Sequence, residues 1–558
     1  MSYRSLTNAS LASRLKEVFE RARLGRHLTQ AAAGLGALSP LMALANPTGG
    51  QVVGGIATIA APNPNTTKIT QTSQNAVINW QSFSVGANEY VQFLQPDSSA
   101  TILNRVIGSN PSSIFGNITA NGQVFLVNPN GILFGRGAVL DVGSLVASTQ
   151  DIGDTDFMSG KYDFVKGSGA PDASVMNLGT INVRAGGYVV LAGDYVENDG
   201  VIQAKTGQVL LAAGGGTTLT LSDNALISYA VNGATLANLA GVDNTGEITA
   251  EGGTVIMTAD VANALTATAV NNSGFVAARS IQGHAGLIVL SATGGETENS
   301  GTLDASADQV GVTGGTILVR SDDYTELTPT SIIDDTGDGA DGGFLHVSGH
   351  EIGIHGQFNL GKGGQLLFDP STVYLESSGT AHASNCSGCE GGVIHTNFIE
   401  HELNAGVNLA IIASGQILDS GGPVRQNAGP ATHITATGAG ALALRIGRAS
   451  VSIGGSLHRI TGSIYNALPG GSGQAFVPTT GGTINIKGMT INIAGAFAAS
   501  ADQGTVELGP VTAGVIVVNA GTIKLSGNLT ATAATPTGHK AIALQASYAI
   551  GPSSGTCP

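Results

Sequence analysis

Two groups of residues in this 558-residue chain are of the right type and spacing to do chemistry. The first combines sulfur with imidazole. Cys386 and Cys389 lie in "AHASNCSGCEGGVIHTNF", bracketed by His382 and His395, with His346, His350, His355 and His401 nearby in sequence. Six of the eleven histidines therefore fall between residues 346 and 401. Thiolate and imidazole at this spacing are the ligand types of a zinc or haem-iron site. The same Cys-x-x-Cys also suits a small disulfide-closed loop or two free thiols, and in an exported chain the disulfide is the more economical reading. The second group is carboxylate: Asp334, Asp335, Asp338 and Asp341 in "IIDDTGDGADGG". Such oxygens suit Ca²⁺, but aspartates interleaved with glycine are also ordinary turn formers, and the glycine-rich calcium nonapeptide is not matched.

Reaction motifs are missing elsewhere. There is no Gly-x-Ser-x-Gly elbow, His-Glu-x-x-His pair or phosphate-binding loop. Aromatic residues make up only 5% of the chain, too few for the sugar platforms expected beside paired catalytic acids. The expectation is a protein that is not an enzyme and uses no metal or cofactor.

The scaffold that would position these groups is written in the composition. Glycine, at 82 residues, is about twice its usual share, and charged residues at 11% are less than half of theirs. Such a chain is too apolar to be disordered and too often broken by glycine for helices, and it lacks the strict Gly-X-Y period of collagen. What remains is an all-β repeat protein.

The repeats are visible directly. "NLGTINVRAGGYVVLAG" starts at Asn177 and "NDGVIQAKTGQVLLAAG" at Asn198; "NTGEITAEGGTVIMTA" follows from Asn244, with looser copies from Asn272 and Asn299. Apolar residues alternate within each copy, as in Ile181/Val183 and Val189/Leu191, so one face of each short strand is expected to be buried. No copy can bury that face alone; stacking like turns makes a continuous core and lines up the recurrent asparagines as a hydrogen-bonded ladder. A β-propeller needs longer, aromatic-marked blades. The reading is an all-β, right-handed parallel β-helix with an N-terminal cap.

Its corners are drawn by turns such as Asn128-Pro129-Asn130-Gly131, between the strands "VFLV" and "ILF". Asn opens a type I turn, Pro pre-sets φ and Gly closes it, so strand register alone explains the tetrad.

The first 45 residues differ from the rest. Arg4, Arg14, Lys16, Arg21, Arg23 and Arg26 precede the uncharged run "AAAGLGALSPLMALA", and Ala43-Leu44-Ala45 fits the small-x-small cleavage rule. Residues 1–45 are therefore expected to be a removed signal peptide, cut between Ala45 and Asn46; the run is too short to span a bilayer. Of the chain's 23 basic and 38 acidic side chains, that segment takes six and two, leaving 17 against 36. This balance, with no basic cluster, argues against nucleic acid and anionic lipid as partners. No stable membrane span is expected.

One region carries a resemblance. "AVINWQSFSVGANEYVQFLQP" (76–96), "ILNRVIG" (102–108), "IFGNITANGQVFLVNPNGILFGRGAVLDVG" and "LVAST" resemble the secretion domain of two-partner-secretion exoproteins, the filamentous haemagglutinin and high-molecular-weight adhesin family. "GGQLLFDPSTVYL" (363–375) and "LNAGVNLAIIASGQI" (403–417) resemble segments further along such proteins. The place of filamentous haemagglutinin's additional Asn-Pro-Asn-Leu motif here reads "NRVIGSNPSSIFGNI", closer to the high-molecular-weight adhesin and haem–haemopexin-binding branches. The family implies a β-helix exported through the periplasm and outer membrane by a dedicated Omp85-type (TpsB) transporter, then secreted or held at the cell surface. It places Trp80, Asn104, Arg105 and the Asn128, Pro129, Asn130, Gly131 corner in the region read for export; by residue type alone, Trp80 is core or cap filler.

The expected divisions are 46–292 for the secretion domain, 293–375 for its β-helical continuation, 376–402 for an exposed Cys/His insertion, and 403–558 for C-terminal repeats. The expected function is that of a secreted adhesin or haemagglutinin-like protein with an unassigned cell-surface ligand. The alternatives are a haem/haemopexin-binding exoprotein of the same family and a β-helical polysaccharide-active enzyme.

Overall fold

A computed structural model describes residues 46–222, 225–232, 235–236, 241–262, 268–376, 392–414, 416–418, 433–446, 448–449, 476–477, 482–532 and 542–552. Residues 1–45, the expected signal peptide, and the Cys386–Cys389 pair and Cys557 lie outside the described residues. The compact unit begins at Asn46.

The chain winds as a parallel β-helix. One turn reads Tyr188–Gly193, Tyr195–Asn198, Val201–Gln203, and the next begins at Gln208. Each strand lies on its counterpart in the neighbouring turn, giving a first face that continues Tyr188–Gly193, a second that continues Tyr195–Asn198 and a third that continues Val201–Gln203; among the described residues these lie in sheets of 22, nine and twelve strands. In-register pairing puts Val189 on Val209 and Leu191 on Leu211, and all four are fully buried, as the repeat alignment requires. The N-terminal end is capped by antiparallel strands, Gln51–Gly54 on Asn75–Trp80 and Ala57–Asn63 on Thr66–Gln71.

The asparagine ladder is present. Asn177 donates to Asn198 (2.8 Å), Asn198 to Asn244, Asn244 to Asn272 and Asn272 to Asn299 (2.7 Å each), all fully buried. Each amide accepts from one neighbour and donates to the next, so a column of polar groups sits inside the stack without an unmet donor along its run. Beyond Asn299 the column continues as Leu327, and Asn299 donates instead to Ser331 Oγ at 2.5 Å.

Two expectations need correction. The alternating pattern suggested burial of one strand face, but the first face is apolar on both sides. Its outward column runs Val77, Leu103, Phe125, Val146, Val190, Leu210, Ile256, Val289, Leu318, His346, Leu367, in register strand by strand. Over the first coils this side is covered by a small antiparallel sheet (Tyr162–Val165, Gly216–Ser222, Ala225–Asn232) and the short helix Asp154–Met158. Phe157, Tyr162, Phe164, Leu219 and Leu226 fill the interface, with Phe125 edge-on to Phe157 at 5.2 Å. A strand buried on both sides carries a continuous apolar run rather than alternation, which is what "YVVLAG" and "QVLLAA" are.

The second correction concerns residues 376–402. Within that expected exposed insertion, Gly392–His395 pairs in parallel with Thr372–Glu376, and Thr396–Asn404 is a helix. Ile399 and Leu403, four residues apart and so on one helix face, join the main core, while Phe398 packs on Phe358 and Phe368. From Gly392 on, the break in strand alternation marks a change of secondary structure, while 377–391 lie outside the described residues.

Candidate secretion-recognition site

The residues singled out for export converge on the first coils. Trp80 ends the strand Asn75–Trp80, its ring buried and edge-on to Phe83 at 5.6 Å. Its indole N–H donates to Asn104 Oδ1 (3.1 Å) on the strand stacked above it, and Asn104 Nδ2 donates to the Phe125 carbonyl (3.3 Å) on the next. Three successive coils are thereby linked by one polar thread inside an apolar core, a buried indole finding the partner it needs.

Arg105, adjacent to Asn104, points to the other side of the strand. Its guanidinium donates to Asp151 (2.8 Å), Asp154 (2.5 Å) and Asn79 (3.3 Å), and to the carbonyl of Ile152. Burial opposes its charge, but the hydrogen bonds and attraction of the two aspartates outweigh that and raise its pKa. With its side chain only 12% exposed, Arg105 pins the start of the Asp154–Met158 helix to the coil.

The corner residues are also internal fasteners. Asn128 is fully buried; its Nδ2 donates to the Asn110 carbonyl and to Ser112 Oγ (3.0 Å each), and its Oδ1 accepts from the Asn130 amide (3.0 Å). Asn130 Nδ2 reaches back to the Gly108 carbonyl (2.9 Å), and the Gly131 amide closes the turn on the Asn128 carbonyl (3.0 Å). Gly131 sits at φ +112°, a conformation that L side chains rarely adopt. Pro129 is half-buried at the corner. Asn46 is half-buried and donates from Nδ2 to the Pro64 carbonyl (2.7 Å).

Trp80, Asn104, Arg105 and Asn128 thus build the scaffold from within. Its outside carries a set that sequence reading missed: Tyr90, Leu94, Ile107, Phe115 and Val139 are exposed. Tyr90 and Val139 flank Asn117 in one column of the third face. Tyr90, Leu94 and Val139 lie in strands and Ile107 and Phe115 directly follow strands, where apolar residues look like core in a sequence, so nothing in the pattern marked them as surface.

Cys386, Cys389 and His382 of the sulfur–imidazole group lie outside the described residues. Among the described residues, no cluster of three or more histidine, cysteine, aspartate or glutamate side chains is arranged to hold a metal. His346 is buried in the first face, its ring against Phe344 (6.2 Å) and its Nε2 without a hydrogen bond. Burial, and to a lesser degree the charge of Arg320, lowers its pKa to about 3. Asp334 serves as a turn former, accepting from the Thr336 amide and hydroxyl. No helix among the described residues is long and apolar enough to cross a membrane.

The TPS secretion domain family matches residues 43–305. The crystal structure of the HMW1 secretion domain from Haemophilus influenzae superposes with a TM-score of 0.54 at 26% identity, covering 72% of this chain and 95% of that one. Residues 43–305 are therefore a TPS secretion domain, the domain of two-partner-secretion exoproteins. Two curated relatives, both named heme/hemopexin-binding protein and both from Haemophilus influenzae, are 31% identical over 319 residues and 29% identical over 329 residues. They cover 56% and 55% of this chain, which spans about a third of their length (33% and 34%). Such exoproteins are secreted with the help of an outer-membrane transporter.

Proposed function

We propose that this exoprotein acts by display: a β-helical rod, carried out by a partner transporter, that presents an adhesive surface to a cell. The observation that supports the export part of this reading is the match of residues 43–305 to the TPS secretion domain family, over coils that hold the antiparallel cap, Trp80–Asn104 thread, Arg105 fastening and Asn128–Gly131 corner in one stack. In this reading residues 46–292 are the export unit and residues 1–45 its removed signal, cut after Ala45. Residues 293–375 and 403–558 lengthen the rod, and the Cys386–Cys389 segment adds a disulfide-closed feature. Trp80, Asn104, Arg105 and Asn128–Gly131 serve export by building the fold, and the exposed Tyr90, Leu94, Ile107, Phe115 and Val139 are the side chains the folded domain offers a partner.

The full chain produced with and without a matching outer-membrane transporter tests this. Supernatant yield should depend on the transporter; equal yield in both would sink the proposal. A second reading, capture of haem or haemopexin, draws on the relatives' names. A haem absorbance band or haemopexin retention by the secreted chain, without cell adhesion, would favour it.

A further inference from the structure

One buried carboxylate is used by nothing described above. At the strand-to-loop corner of the third face, successive coils place Ala204, Ala250, Ala278 and Ala305 in one inward column, the backbone of each bonded to the next turn. The following coil puts Asp335 in that column, and the one after it Leu360. Asp335 is fully buried, and neither carboxyl oxygen has a hydrogen-bond partner. The Gly315 and Phe344 amides lie beside it but donate to the carbonyls of Ala305 and Gly315. Room for the carboxyl exists because residue 343 is glycine: a Cβ there would lie 2.2 Å from Asp335 Oδ1.

The charged groups on the elements around it offer no compensation. Asp304, on the preceding coil, is bound to Arg279, which also reaches Glu251. Asp334, Asp338 and Asp341 share the coil of Asp335, and Lys362 is on the next. Burial is the main influence on the carboxyl, and the strongest charges acting on it, Asp334 and Asp304, have its own sign. Together they hold its pKa well above the ordinary aspartate value.

One wall of this compartment is Gly343, where the loop 336–342 returns to the coil and bonds the Asp335 carbonyl. On the core side lie Ala305, Leu360 and the stacked strands. On the other side the loop 336–342 crosses the corner, rich in glycine, exposed at Asp338, Gly339 and Asp341. Backbone hydrogen bonds tether it: Gly343 to the Asp335 carbonyl, Asp338 with Val312 and Gly311, Gly314 to Asp341, Gly342 to Lys362 and Ala307 to Thr336. Water reaches the carboxylate most easily by displacing this loop, since the alternative disrupts core rungs.

We propose that the loop 336–342 is a proton-latched flap, closed over a neutral Asp335 and released when that side chain ionises. Because the closed form holds its proton more tightly than an open one, closure is fully favoured below the ordinary aspartate pKa. It weakens as pH rises through the higher value of the closed state.

Amide exchange of residues 336–342 in the full chain, compared with Asp335→Asn and Asp335→Ala at each pH, tests this because intrinsic exchange chemistry cancels in the ratio. Alanine is the residue the same column carries four times, so that variant keeps the fold even if Asn does not. Exchange relative to the variants should be near unity around pH 4 and rise at least about tenfold by about pH 8, tenfold per unit of raised pKa. A ratio that stays flat across this range would overturn the flap. So would a rise shared equally by the strand Gln208–Ala213, which would mean global unfolding.

Discussion

Asn198 donates from Nδ2 to Asn244 Oδ1 over 2.7 Å, although 46 residues separate them, more than twice the 21 between Asn177 and Asn198. The surplus is the hairpin of Gly216–Ser222 and Ala225–Asn232, which leaves the stack, covers the outward side of the first face and returns without disturbing the ladder. Register is therefore set by the column of amides and the apolar strands beneath it rather than by the length of chain between them.

Replacing Asn244 with Ala removes the acceptor of Asn198 and the donor to Asn272 together. Two buried amides lose a partner, so the expected loss is roughly 2–4 kcal/mol. A lower urea midpoint with faster amide exchange on both flanking coils would match; an unchanged midpoint would contradict the ladder's contribution.

Leu211→Asp places a charge between Leu191 and Met257, in a core where every neighbour in the column is apolar. The expected cost is several kcal/mol, with loss of protease resistance. Normal resistance after this change would refute the repeat alignment on which the stack rests.

How far the sequence disclosed this arrangement depended on locality. The asparagine columns and the Val189/Leu191 pattern recur with the same local motif, Asn-x-Gly ahead of an apolar run, so they could be aligned by eye although the steps vary from 21 to 46 residues, and the Asn128–Gly131 turn carries its explanation within four residues. The cover on the first face could not be read so directly. Its clue was the apolar residue between two core positions, Val190 between Val189 and Leu191, and alternation was the wrong template for a strand buried on both sides. The Arg105 clamp was hidden for another reason: Asp151 and Asp154 lie 46 and 49 residues away, and no periodicity links them. The helix Thr396–Asn404 was marked by Ile399 and Leu403 four residues apart, a period different from the strands around it.

Arg105→Ala should detach the Asp154–Met158 helix without dissolving the coils. It leaves Asp151 and Asp154 without their cation, for an expected loss of about 2 kcal/mol, concentrated locally. Limited proteolysis should then cut near residues 153–161 first. Arg105→Lys should recover only part of the protection, because an ammonium cannot span two carboxylates and a carbonyl in one plane.

Two buried groups should tilt stability in opposite directions with pH. Glu402, in the helix Thr396–Asn404, has its pKa raised by burial to about 7, so its effect on stability is favourable below the ordinary glutamate range and is lost as pH climbs to about 7. Glu402→Gln should remove that loss, on the order of 2–3 kcal/mol between pH 4 and 8. His346, held neutral by burial with a pKa of about 3, has the reverse sign: its contribution is complete above about 6.5 and fades as pH falls toward 3. His346→Leu, matching Leu318 and Leu367 on either side, should flatten the acid limb of the stability profile. Parallel profiles for each variant and the parent would contradict these assignments.

The 46-residue step between two bonded asparagines also bears on how such a molecule changes over evolutionary time. A corner that can release a hairpin and take it back at the same rung is a grafting point. New surface can be gained, exchanged or deleted there while the remaining turns keep the folding instructions they already have. Diversification then proceeds sideways, by decoration, and the inherited axis is left alone.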